Sequence, residues 1–388
     1  MSPITHRVTL PILLSTCLLL FPSVPSSLAE TAAEPDDAVR ALSHLREQVR
    51  AAPQSLDHRL KLADALYRIG DLDTAIDECR VALALKPDHA LAHLQLGIAL
   101  MAKQDWRPAL TELRDAARLN PALTQAHYNL GTAYYTTGNL KGAIESYRQA
   151  LALQPSLLDA RYRLALALKF NHRDQESIQF MKEAAAGGVP QAQYALGQAY
   201  RTGQGIEKNG ALTIYWWSKS VEFGHQPAAS SLSLLRQLAL SKVQPEQSRL
   251  EALKAFQGYR ETLWENVPDL ARSGNETLGT TLLKQNHANK AVSVLLQECY
   301  ALSDVALAEL ARIYETGWEP QLPPFDKNIL ACIETTAGDS FMPAKKILAR
   351  IYGKGLGVKQ DRQKMELTLK GLPKDEIKKV LNQLTPAP

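Results

Sequence analysis

Cysteine, net charge and catalytic signatures are all scarce in this chain. Four cysteines occur in 388 residues, and one of them, Cys17, sits in the first apolar run. The other three, Cys79, Cys299 and Cys332, are odd in number and far apart, which excludes a disulfide framework as the source of stability. Net charge is only +4, with both signs mixed along the chain, so there is no basic footprint for nucleic acid. HExxH, paired CxxC, CxxCH and GxSxG are absent, and no metal, haem or other cofactor is expected. The apolar run from Val8 to Phe21 is about 14 residues long and holds Pro11. A bilayer takes about 20 residues, so no stable membrane span is expected after processing.

That run has another meaning. His6 and Arg7 precede it, and a Pro/Ser-rich stretch ending in Ser27, Leu28 and Ala29 follows. This is the pattern of a secretory signal peptide, predicting residues 1–29 as a signal cleaved after Ala29 and a periplasmic or secreted product. An uncleaved anchor and lipidation at Cys17 stay open. Residues 30–35 read as a disordered linker, and Asp36 as the N-cap of a helix over about 37–52.

What the chain does have is a period. Pro53, Pro87, Pro121 and Pro155 recur every 34 residues, as do Ala41, Ala75, Ala109 and Ala143. Between them stand Leu62, Leu96, Leu130 and Leu164, each followed by Ala or Gly. Leucine, small residue and then Leu66, Leu100, Tyr134 or Leu168 form one helical stripe at i, i+1 and i+4. The small residue lets a second helix approach. Each proline ends a second helix by lacking an N–H. The unit is a helical hairpin whose apolar face needs a neighbour, so units must stack.

These residues resemble the tetratricopeptide repeat. Full repeats fall at about 56–89, 90–123 and 124–157, and a fourth departs from the pattern with Ser177 and Met181. After Gly187 the turn lengthens: Leu196, Gly197 and Tyr200 precede Gly203 and Gly205, and Leu348, Ala349 and Tyr352 precede Gly355 and Gly357. A third copy, Leu310, Ala311 and Tyr314, is interrupted from Trp318 to Phe325. This arrangement resembles the Sel-like repeat. The resemblance implies an all-α solenoid: a repeat array over 36–187 with a capping helix, degenerate and Sel-like repeats over 188–300, and Sel-like repeats with a final cap over 301–388. Residues 240–275 have no clear phase, which leaves open a break between two arms. Cys299 and Cys332 fall on adjacent hairpins, and whether they pair is also open.

The remaining chemistry has plain structural readings. His89 and His93 have metal-ligand spacing, yet His93 and His127 share one packing position. The glycines of 353–357 follow a helix rather than a strand and read as a turn. Trp216 and Trp217 read as packing residues. One step past the ladder, residues should line an inner groove: Leu60, Asp64 and Tyr67, then Leu94, Ile98 and Met101, then Tyr128, Thr132 and Tyr135, then Tyr162, Leu166 and Lys169. Asn129 and Arg163 lie nearby. Tyr67, Met101, Tyr128, Asn129, Tyr135, Tyr162, Arg163 and Lys169 are the expected partner contacts. The resemblance implies a non-catalytic scaffold of a bacterial envelope that binds a peptide or partner helix, in complex assembly or exopolysaccharide export. The rival is a secreted Sel-like enzyme of the penicillin-binding or β-lactamase type, a cysteine-rich group unlike this chain.

Overall fold

The computed structural model describes residues 35–241, 245–265, 267, 270, 276–285, 287–318 and 323–384. The apolar run, its cleavage point and Cys17 lie outside these residues. The described residues form twenty α-helices and no strand, so the protein is an all-α stack of helical hairpins. No described helix is long and apolar enough to cross a membrane. The chain divides into two compact units, one ending at Ala126 and one starting at His127, and each is described by itself.

The first unit opens with α1 (Pro35–Ala51), which begins at the last residue of the expected linker and takes Asp36 into its first turn rather than leaving it as the cap. Two hairpins follow: α2 (Leu56–Arg68) with α3 (Leu72–Leu85), and α4 (Ala90–Ala102) with α5 (Trp106–Leu119). Val49 of α1 packs with Leu62, Leu66 and Ala75 of the first hairpin. The ladder residues are core: Ala63, Ala75, Leu96 and Ala109 are all buried. The reason for a small residue after the leucine is visible at Gly97, where a Cβ would lie 2.7 Å from the Leu113 Cγ. Real Cβ atoms do not approach that closely.

Polar side chains repeat with the same step. Arg59 donates to the Pro53 carbonyl at 2.8 Å and to Glu78 at 2.6 Å. One repeat on, His93 meets the Pro87 carbonyl at 2.8 Å and Glu112 at 2.7 Å. Each side chain ties its helix to the preceding loop and to its partner helix. His89 accepts from the Ala92 N–H at 3.2 Å and so caps α4. Both histidines therefore have structural work.

The second unit continues the period through α6 (Thr124–Thr136, from His127 on), α7 (Leu140–Leu153), α8 (Leu158–Phe170) and α9 (Asp174–Ala186). The departures of the fourth repeat are accommodated: the Ser177 hydroxyl donates to the Ala165 carbonyl at 2.7 Å, and Met181 is buried in the aromatic slot. The turn between paired helices needs a left-handed residue. Gly70 and Gly138 supply it at φ +85° and +82°, but Gln104 and His172 occupy the same position at 64° and 58°. A side chain disfavours that backbone by about 1–2 kcal/mol. Gln104→Gly should therefore stabilise the chain by up to about 1 kcal/mol, read as a raised melting temperature; an unchanged or lowered one would contradict the account.

The longer-turned hairpins follow: α10 (Pro190–Thr202) with α11 (Gly210–Glu222), then α12 (Gln226–Leu240) and α13 (Glu246–Glu265). Next come α14 (Leu278–Lys284) with α15 (Ala288–Tyr300), and α16 (Asp304–Thr316) with α17 (Lys327–Gly338). Last are α18 (Met342–Lys354), α19 (Arg362–Leu369) and α20 (Lys374–Leu384). Gly203, Gly205, Gly355 and Gly357 all have positive φ. The turns they make are closed by the same bond, Asn209 N–H to the Tyr200 carbonyl at 2.9 Å and Asp361 N–H to the Tyr352 carbonyl at 3.0 Å. In the interrupted copy the Phe325 N–H reaches the Tyr314 carbonyl at 2.8 Å, one residue before the Asp326 N-cap rather than from it. Gly355 and Gly357 thus form an inter-helix turn, while Gly353 lies in the last turn of α18.

Of the stretch 240–275, the described residues pack with both of its neighbours. Phe256, Tyr259 and Leu263 of α13 share one core cluster with Trp217, Leu232 and Leu282. Cys299 and Cys332 come together in the last core cluster, but as free thiols, and Cys79 is free as well. Burial pushes the Cys79 thiol up to about 12, and burial together with Cys299 raises Cys332. In α20, Val380 is buried and Leu384 lies against Gly353 of α18.

Candidate partner-binding site

In the first unit, Tyr67 and Met101 are half-buried against the cluster of Ala63, Leu96 and Leu100. Two other expected groove positions, Leu60 and Leu94, are 6% and 2% exposed. They are core residues: the step past the ladder points between stacked hairpins there, where aliphatic side chains are buried. Asp64 is held by Arg68 at 2.9 Å.

In the second unit, α6 and α8 bring the aromatic residues together. Tyr128 stands 6.0 Å from Tyr147, centroid to centroid, and its hydroxyl donates to Asp159. Arg163 donates to the same carboxylate at 2.7 Å, and its guanidinium lies 5.6 Å from the centre of the Tyr128 ring. Tyr147, fully buried, donates to Thr132 at 3.1 Å. Tyr135 makes an edge contact with Phe170 at 6.0 Å, and Phe170 is 53% exposed. Tyr162 is half-buried against the next cluster, and Asn129 and Lys169 are half-buried as well.

The electrostatics fix these groups. Burial pushes the Tyr135 and Tyr162 hydroxyls up to about 12, so both stay neutral donors at any physiological pH. Burial opposes the Arg163 cation, but Asp159, Tyr128 and Tyr147 outweigh it and raise its pKa. Arg163 is only 9% exposed. It is a brace that sets Tyr128 through Asp159 rather than a free cation awaiting an acidic ligand. Among the described residues there is no group of three or more metal-ligating side chains that could hold a metal ion.

Sequence reasoning missed a second concavity. A cleft of about 860 Å³ lies between α11, α12, α15 and α17, with Leu232, Leu296 and Tyr300 among its lining residues. At its edge Arg236 binds Asp339 at 2.5 Å, and both side chains are at most 5% exposed. Ser233 and Gln237 also reach Asp339. These partners are 102 to 106 residues apart, and no repeat spacing signals such a pair.

The tetratricopeptide-repeat model matches residues 27–90 and 94–157, and the Sel1-repeat model matches 190–225 and 345–364. No curated protein matches the chain at a significant level. Among solved structures, the crystal structure of MamA is 26% identical, covering 41% of this chain and 93% of its own, with a TM-score of 0.38. MamA 41-end from Desulfovibrio magneticus RS-1 is 24% identical over 38% of this chain and 83% of its own, at 0.36. YrrB, described as a TPR protein with an unusual peptide-binding site, is 19% identical over 48% of this chain and 96% of its own, at 0.41. Both repeat types serve for the most part as protein-interaction modules. This chain carries tetratricopeptide repeats followed by Sel1 repeats.

Proposed function

We propose that the protein is a non-catalytic scaffold exported to the bacterial envelope, where it holds an apolar peptide or partner helix against the tyrosine face of α6 and α8. The supporting observation is the grouping of Tyr128, Tyr135, Tyr162 and exposed Phe170 on neighbouring helices, with Tyr128 set by the Asp159–Arg163 brace. Aromatic residues of this kind bring large contact area at low entropy cost, and Tyr is enriched at recognition surfaces. The apolar run before Ala29 supports export, with complex assembly or exopolysaccharide export as the setting.

The test follows from the geometry. Truncating Tyr128 would also break its bond to Asp159, so a loss of binding there could be a loss of fold. Phe170→Asp changes an exposed residue instead. Affinity capture of a partner from an envelope extract should fall about tenfold for that variant, about 1.4 kcal/mol, with the melting temperature held. Equal capture would move the binding face elsewhere. Export is checked by N-terminal sequencing of the periplasmic protein, which should begin at Glu30; an intact Met1 would refute cleavage.

A further inference from the structure

We propose that the cleft between α11, α12, α15 and α17 is a second binding site, independent of the tyrosine face, that takes an extended, uncharged peptide segment. Its volume of about 860 Å³ falls in the range of ligand sites, roughly 300–1,000 Å³. It exists because α12 is pinned to the end of α17: Arg236, Ser233 and Gln237 converge on Asp339. Towards their N-terminal halves the two helices offer facing walls, Ala229 and Ser230 on one side and Asn328 and Ala331 on the other.

The charges decide what fits. Only two lining residues are ionic, Glu222 and Arg236. The Arg236 cation is neutralised by Asp339 and lies 5.7 Å from the centre of the Tyr300 ring, and Glu222 is paired with Lys219 at 3.0 Å. An acidic ligand would find the Arg236 cation already committed to a buried partner, and a basic one would have to compete with Lys219 for a solvent-exposed Glu222 carboxylate that contributes little. The rest of the lining combines Leu232, Leu234 and Leu296 with neutral hydroxyls and amides, including Ser230, Ser293, Gln297 and Asn328. Leu234 is 66% exposed, an apolar side chain at the rim with little cover.

The neutral polar groups separate the occupants. An acyl chain would strip water from these hydroxyls and amides without replacing a single hydrogen bond. A helix has already satisfied its backbone internally. An extended peptide brings unsatisfied N–H and C=O groups in alternation, which side chains able to donate and accept can meet, while its apolar side chains reach the leucines. The wall from Ala229 to Arg236 runs about 10 Å along α12, enough for about three extended residues.

The experiment uses the full chain and three fluorescent sets of capped hexapeptides, uncharged, acidic and basic, with fluorescent palmitate as a fourth probe, read by anisotropy. Uncharged members should bind at least about tenfold tighter than charged ones. Ala331→Trp and Ser293→Trp change exposed wall residues and should each weaken that binding about tenfold with the melting temperature unchanged, while Phe170→Ala leaves it as it was. If one tryptophan variant fails to fold, the other carries the test. No binding by the uncharged set, equal binding of the charged sets, preferential uptake of palmitate, or full binding by the folded tryptophan variants would each overturn the proposal. Loss with Phe170→Ala would assign the peptide to the tyrosine face instead.

Discussion

Asp339→Ala should destabilise the protein by about 3–5 kcal/mol. The carboxylate is 5% exposed at the side chain and Arg236 is 3% exposed, so truncation leaves an almost fully buried cation without its counter-charge. Ser233 and Gln237 lose their shared acceptor in the same change. Removing both charges is a different matter: Arg236→Met with Asp339→Leu should recover most of the loss, because well-packed apolar residues can replace a buried pair at little net cost. The measurement is urea unfolding of the two variants beside the parent. A single variant that unfolds at the parent's midpoint would show that the pair is not buried as described.

The second large effect belongs to the hairpin interior. A Cβ on Gly131 would lie 2.8 Å from the Tyr147 ring, and Tyr147 is fully buried with its hydroxyl on Thr132. Gly131→Leu should cost about 1–3 kcal/mol by overpacking. Shrinking the opposite residue then tests the cause: Gly131→Leu combined with Tyr147→Ala should cost less than the two single changes added together. Strict additivity in thermal unfolding would mean that the two residues do not compete for one space. The same logic holds at Gly197, where an added Cβ would lie 2.4 Å from Cδ1 of the Trp217 indole, whose N–H donates to the Tyr194 carbonyl at 3.2 Å.

The hairpins were legible because one physical demand recurs in each of them. Leucine, small residue and proline sit where helix approach and helix termination require them, and the helices open at Leu56, Ala90, Thr124 and Leu158 in step with the prolines. The left-handed turn was legible only where glycine marks it. Gln104 and His172 take the same conformation without any compositional sign. Lining residues were half legible. The tyrosines of α6 and α8 lie together, but stepping along the helix does not reveal that Leu60 and Leu94 are covered by a neighbour. Arg163 read as a ligand-facing cation because its carboxylate, Asp159, stands one turn back and attracts no notice alone. The cleft was invisible for a stronger reason. Its making depends on Arg236 meeting Asp339, a contact 103 residues long that belongs to no period.

That one non-periodic contact changes how the molecule should respond to tension. Where hairpins touch only their neighbours, a chain pulled from its end lets go piece by piece. The bond between α12 and the end of α17 shields the hairpins lying between its anchor points. Stretched in an optical trap, the segment from 236 to 339 should rupture as a single event, leaving a longer step in the force record than any tetratricopeptide hairpin.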